Sequence, residues 1–187
     1  MDDSTKTILR DAKRVSTFHQ QNKEAMEDMN RRFHCTFLFE EFKILDRLLY
    51  KYHNQQRRHV HYRRLRLLRR RLQRVSRLLV YTHWAIILKN AKSDSTTEVL
   101  RVLYEQVQRA TQDCMDGYET VYAVLQDMLY VPFAMMCVGC VARIYSQLKR
   151  VGLIVNAMRL ELHSGFARKA DSDEDIYQQD KVEILEK

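Results

Sequence analysis

The chain has 187 residues, 45% hydrophobic and 30% charged, with only four Gly and one Pro; that is too little turn chemistry for an all-β fold or an α/β fold with many short loops. Its formal net charge of +8 is unevenly placed: residues 47–93 hold 14 Lys or Arg and no Asp or Glu, so the other 18 basic and 24 acidic residues sum to −6. Such a separation points to a polyanionic partner, since a merely solvated surface mixes its signs.

Residues 1–34 are weakly amphipathic, with Ile8, Ala12 and Val15 at helical spacing, and predict a helical or partly ordered arm. The acidic start Met1-Asp2-Asp3-Ser4 lacks the basic and apolar run of a secretory leader. From Thr36 the pattern sharpens: Leu38, Phe42, Leu45, Leu49 and Tyr52 form one helical stripe. The polar cluster His53, Asn54, Gln55 and Gln56 interrupts it and predicts a turn. A long second helix follows to about Ala91, its seam of Leu65, Leu68, Leu72, Val75 and Leu79 alternating three and four apart. Lys92, Ser93, Asp94, Ser95 and Thr96 predict a loop, and Ser95 with Glu98 matches a capping box for the third helix.

That third helix carries Leu100, Leu103, Val107, Ala110, Cys114, Tyr118, Val121, Leu125 and Met128. Gly117 within it costs about 1 kcal/mol relative to Ala and predicts a close helix contact or a kink. Pro132 ends it and suits the first turn of a fourth helix, through Phe133, Cys137, Cys140, Ile144, Leu148, Val151, Val155 and Met158 to a stop at Gly165. The uninterrupted apolar run there, Tyr130 to Ala142, is halted by Arg143 and is too short to span a bilayer. From Asp171 the chain is acidic and polar, which predicts a disordered tail. The expected fold is all-α: an antiparallel bundle of about four long helices over residues 35–165, an N-terminal arm over 1–34 and an acidic flexible tail over 166–187.

The chemistry concentrates on the second helix. Arg63, Arg66, Arg70, Arg74 and Arg77 lie three and four apart and line a face roughly opposite the leucine seam. Arg57, Arg58, Arg64, Arg69 and Arg71 spread over the flanks. From Arg63 to Arg77 the stripe runs about 21 Å at 1.5 Å per residue, enough to follow several phosphates. Ten of the 21 residues 57–77 are Arg and none is Lys. A guanidinium offers phosphate a planar fork and stacks on bases, whereas an ammonium is a point charge. His61 and Tyr62, with His59, add stacking and hydrogen-bonding surfaces, and the amides of Asn54 and Gln55 can read base edges or sugar hydroxyls. The plain alternatives are a solvated basic face, with Asn54 only capping the helix; unneutralised repulsion among the arginines argues for a compensating partner. The expected RNA-contacting set is Asn54, Gln55, Arg57, Arg58, His61, Tyr62, Arg63, Arg64, Arg66, Arg70, Arg71, Arg74 and Arg77.

Other signals point to structure. Cys137 and Cys140 have the spacing of half a zinc site, yet both fall on the apolar stripe, where Cys packs as a small hydrophobe. The four cysteines are expected to be reduced. Glu40 and Glu41 are expected to pair with basic neighbours. There is no Gly-rich phosphate loop, nucleophile elbow, helix-turn-helix, zinc finger or RRM signature. No catalytic residue, metal, cofactor or small-molecule substrate is expected.

The segment from Leu38 to Arg57, a helix closing on Asn54-Gln55-Gln56-Arg57 before an Arg-rich helix, resembles the family of RNase MRP-specific small subunits, which also takes in the animal nucleolus and neural progenitor protein. Asn54, Gln55 and Arg57 fit its turn motif; Gln56 stands where the family pattern has His. Residues 133–145, an apolar glycine-containing helix, resemble the family's C-terminal helix, so the resemblance covers about residues 38–160. It implies a non-catalytic helical subunit that binds the RNase MRP RNA and the other protein subunits of that ribonucleoprotein. It further implies residence in the nucleus and nucleolus and support for cleavage of precursor ribosomal RNA, with the RNA carrying the phosphodiester chemistry. The rival readings are a scaffold protein whose Arg-rich helix docks on an acidic protein partner, and a peripheral membrane protein. The last is disfavoured because the seam opposite the arginines is needed for the bundle core.

Overall fold

Apolar side chains recurring three and four apart are buried by packing helices on one another. The computed structural model describes the backbone of residues 5–12, 23–87 and 93–185 and the side chains of 5–12, 27–83 and 96–160, and the described residues contain helices and no strand. In chain order the helices are α1 (5–12), α2 (Lys23–Phe33), α3 (Thr36–Lys51), α4 (His53–Gln56), α5 (Val60–Ile87), α6 (Ser93–Gln126) and α7 (Val131–Leu185).

Four of these close a bundle, with α3 on α5, α5 on α6, α6 on α7 and α7 back on α3. Every step is antiparallel. Asp46 meets Arg69 and Leu49 meets Tyr62 between α3 and α5. Arg64 meets Asp116 and Arg71 meets Asp113 between α5 and α6. Tyr104 meets Arg159, and Val107 approaches Gly152, between α6 and α7. Tyr52 meets Phe133 and Glu41 meets Arg143 between α3 and α7. The all-α antiparallel bundle of the sequence reading is the observed architecture.

The predicted stripes form its core, except that Met128 of the third-helix stripe lies past the end of α6 and is exposed. Leu65, Leu68, Leu72, Val75 and Leu79 of α5 are buried, as are Phe133, Cys137, Cys140, Ile144, Leu148, Val151 and Val155 of α7. At about 25 cal/mol per Å² of apolar surface removed from water, each large side chain of this kind stabilises the fold by about 1.5–3 kcal/mol. The arm is built into the same core: Ala12 of α1 and Met29 and Phe33 of α2 are buried, and α2 packs on α5 and α7. Val15 lies outside the described residues.

Several local expectations change. The polar cluster at 53–56 is a single turn of helix, because Gln56 N–H bonds to the Tyr52 carbonyl and Arg57 N–H to that of His53. The chain reverses direction across this turn and the residues up to His59, since α3 and α5 are antiparallel. Residues 93–96 are helical, so Ser95 lies inside α6 and is not its cap; Ser and Thr fit the first turn of a helix as well as its edge. Gly117 is not crowded, since a Cβ there would sit 3.7 Å from Leu65 Cδ2 of α5, an ordinary contact, and α6 is helical through it. Pro132 does occupy the first turn of α7, where its missing N–H is harmless.

Gly165 does not end α7, whose backbone stays helical to Leu185. A polar, acidic helix is marginal in water on its own, so a helical backbone there and a fraying tail are compatible. Val131–Leu160, which contains an 18-residue window of mean hydropathy 1.3, is long and apolar enough to cross a membrane by length and composition. The uninterrupted run counted in the sequence understated it. Its buried stripe faces the bundle.

Candidate nucleic-acid interface

The arginines of α5 divide by what lies opposite each of them. Arg63, Arg66, Arg70 and Arg74 are exposed and Arg77 half-buried, on the face turned away from the leucine seam. Arg57 and Arg58 are exposed just before the helix. Among the described residues none of these seven takes part in an ion pair. The other three are used within the fold. Arg69 donates to Asp46 of α3, and Arg71 Nε donates to Asp113 Oδ2 of α6 at 2.9 Å. Arg64 lies 3.5 Å from Asp116 of α6. The partner acids stand outside the acid-free run, so linear sequence could not show which arginines they neutralise.

The α3–α5 elbow is held from inside. Tyr62 is buried, and its hydroxyl donates to the Leu49 carbonyl at 2.7 Å while lying 3.0 Å from His53 Nδ1. His61 is buried too, its Nε2 3.0 Å from Gln56 Oε1. Burial, and then the charge of neighbouring His59, lower the His61 pKa below its ordinary value. The stacking and hydrogen-bonding surfaces that His61 and Tyr62 were expected to offer to RNA are therefore occupied within the fold. Gln56, in the position where the resemblance calls for His, is fully buried as the partner of His61. Asn54 and Gln55 stay exposed, with no side-chain hydrogen bond among the described residues. Asn54 lies six residues before Val60, too far ahead to cap α5.

This elbow meets the α6–α7 connection at the same end of the bundle. The rings of His59 and Tyr130 are 5.6 Å apart edge to face, and His61 lies 5.9 Å from Phe133. Met128, Leu129 and Tyr130 are exposed beside it, as is Met135 on the first turns of α7. Basic and apolar surfaces thus adjoin at one corner.

A groove of about 520 Å³ opens between α3 and α5. Arg47, Tyr50, His53 and Arg66 line it, with the Asp46–Arg69 pair along one side. The sequence reading did not single out its α3 wall. The available signal was Tyr50, which falls off the α3 stripe and close to Arg47.

The thiols carry no chemistry in this fold. Cys35, Cys114, Cys137 and Cys140 are all buried and unbridged. Desolvation pushes the first, third and fourth up to about 12 and Cys114 in the same direction, so they are neutral and unreactive at physiological pH. The described residues contain no cluster of three or more His, Cys, Asp or Glu able to hold a metal ion. Glu41 pairs with Arg143 at 2.5 Å, in keeping with the ion-pairing role expected for it.

The family described as ribonuclease MRP protein subunit RMP1 matches residues 44–143, more than half of the chain. The chain belongs to that family. The matched stretch contains the elbow, the whole of α5 and α6 and the start of α7, so this RNase MRP subunit carries its family signature on the elements that build the basic face. No curated protein and no solved structure matches the chain.

Proposed function

We propose that this RNase MRP subunit is a non-catalytic RNA-binding protein whose α5 face lies along the phosphate backbone of the RNase MRP RNA. One observation carries the reading: the arginines from Arg63 to Arg77 that point away from the core are the ones without an acidic partner among the described residues. A buried leucine seam fixes the helix and holds the stripe in one direction over about 21 Å, which suits a run of phosphates. Arg57 and Arg58 extend the stripe into the elbow, where the exposed amides of Asn54 and Gln55 offer both donors and acceptors to base edges or sugar hydroxyls. Phosphodiester chemistry falls to the RNA, and the subunit's part is to support processing of precursor ribosomal RNA in the nucleolus. The exposed apolar corner at Met128, Leu129 and Met135 suits contact with other protein subunits of the particle.

The decisive measurement is RNA affinity against salt. Arg66, Arg70 and Arg74 changed together to Gln weaken binding to structured RNA, and the slope of log affinity against log salt falls by up to about 2.7, about 0.9 for each lost phosphate contact. An unchanged slope in that variant removes the stripe from the interface. Co-purification that survives RNase treatment and is lost in the same variant favours an acidic protein partner instead.

A further inference from the structure

The groove between α3 and α5 holds a combination that phosphate contact alone does not explain. Tyr50 is 87% exposed, and among the described residues its side chain has no ring contact and no hydrogen bond. A lone exposed aromatic is ordinary, but this one shares a concave site with two arginines, Arg47 and Arg66, that have no ion pair among the described residues. The third arginine of the groove, Arg69, already neutralises Asp46, so the net charge of the lining stays positive.

The hydrogen-bond chain at the floor fixes a further feature. Tyr62 has one hydroxyl proton, and it goes to the Leu49 carbonyl at 2.7 Å. The hydroxyl oxygen must therefore accept from His53, whose Nδ1 lies 3.0 Å away. Neutral His53 thus carries its proton on Nδ1 and leaves Nε2 as an acceptor, on a side chain that is exposed and lines the groove. One site so combines an aromatic face, two guanidinium forks and a single acceptor. Its volume of about 520 Å³ lies in the range of about 300–1,000 Å³ typical of small-molecule pockets.

We propose that this groove receives one unpaired nucleotide of the bound RNA, its base stacked on Tyr50, its phosphate held by Arg47 and Arg66, and a base amine or 2′-hydroxyl donating to His53 Nε2. The proposal rests on the RNA-binding reading and adds to it a preference for a looped-out base over a continuous helix. Stacking on an aromatic side chain tolerates any base, so the preference is for an unpaired position and not for a sequence.

Two hairpins with one stem, one carrying a single-nucleotide bulge and the other fully paired, are titrated with the full-length protein. The wild-type protein favours the bulged hairpin. Tyr50→Ala lowers the ratio of bulged to paired affinity by about 5- to 150-fold, the range for loss of one stacked base, and Tyr50→Phe, which keeps the ring, restores it. The exposure of Tyr50 leaves helicity intact, which circular dichroism checks. A ratio unchanged by Tyr50→Ala overturns the pocket; loss of binding to both hairpins in a variant with only Arg70 and Arg74 changed to Gln, which spares the groove's Arg66, then shows that the backbone contact stands without it. Failure of the wild-type protein to bind either hairpin overturns both readings.

Discussion

Met128 closes α6 in a backbone conformation that suits glycine. Its φ is 56°, and around it the Leu129 N–H bonds to the Val124 carbonyl and the Met128 N–H to that of Leu125. This is the Schellman pattern, in which the left-handed residue is usually Gly because a Cβ crowds the following carbonyl. Tyr130 two residues on has φ 48° as well, so the connection at the basic corner turns twice through the left-handed region without a glycine. The Met128 side chain is 75% exposed and contributes little packing in return. Relieving the left-handed conformation is worth about 1–2 kcal/mol, less about 0.5–1 kcal/mol for the added freedom of glycine in the unfolded chain. Met128→Gly is therefore expected to stabilise the free protein by about 0.5–1 kcal/mol, read as a higher urea midpoint at constant slope. A lower midpoint would show that the side chain packs more than its exposure suggests.

At the scale of the helix, α5 carries two kinds of arginine, and they are separable by experiment. Arg71 and Asp113 join α5 to α6 at 2.9 Å with side chains only 19% and 13% exposed. Removing one partner leaves the other charge poorly solvated, so Asp113→Ala is expected to cost about 2 kcal/mol, short of the 3–5 kcal/mol of a fully buried pair. Arg64 and Asp116, 3.5 Å apart and far more exposed, belong to the surface class, and Asp116→Ala is expected to cost under about 1 kcal/mol. Equal costs in urea unfolding would show that burial does not set the strength of these pairs. The difference also explains what could be read from the sequence. Helical periodicity is a local property, so the stripes of α3, α5, α6 and α7 and the face of the arginine stripe were legible residue by residue. Pairing is not local. Asp46, Asp113 and Asp116 lie one helix away from the arginines they neutralise; the spacing of residues 57–77 separates the flanking Arg64, Arg69 and Arg71 from the stripe but names no partner for them. For the same reason His61 and Tyr62 read as surface ligands, although the fold turns both inward, and Tyr50 passed unnoticed until α5 was placed beside it. The family motif located the elbow but could not tell that Gln56 is the buried amide and Asn54 and Gln55 the exposed ones.

For the whole molecule, the consequence of this arrangement is a free protein that works against its own charge. The net charge of +8 arises from one quarter of the chain, and in the fold that excess is confined largely to one exposed face. Along it, Arg63–Arg66, Arg66–Arg70, Arg70–Arg74 and Arg74–Arg77 are like-charged neighbours three or four residues apart, each destabilising by about 0.2–0.5 kcal/mol. Together the four pairs hold the fold back by roughly 1–2 kcal/mol at low ionic strength. Salt screens such repulsion, since the Debye length falls from about 30 Å at 0.01 M to about 3 Å at 1 M. The melting temperature of the free protein is therefore expected to rise with sodium chloride, the opposite of a fold held by surface ion pairs. Changing Arg66, Arg70 and Arg74 to Gln breaks all four pairs, and Gln matches Arg closely in helix propensity. For a chain of this size 1 kcal/mol corresponds to about 2–4 °C, so the variant should melt roughly 2–8 °C higher than wild type at low salt and show little further rise. A polyanion that binds the face should close the same gap in the wild type, because a ligand that binds only the folded state stabilises it by mass action. A wild-type melting temperature that falls with salt, or a variant no more stable than wild type at low salt, would mean that the stripe is neutralised within the free protein, and the case for a polyanionic partner would lose its energetic basis.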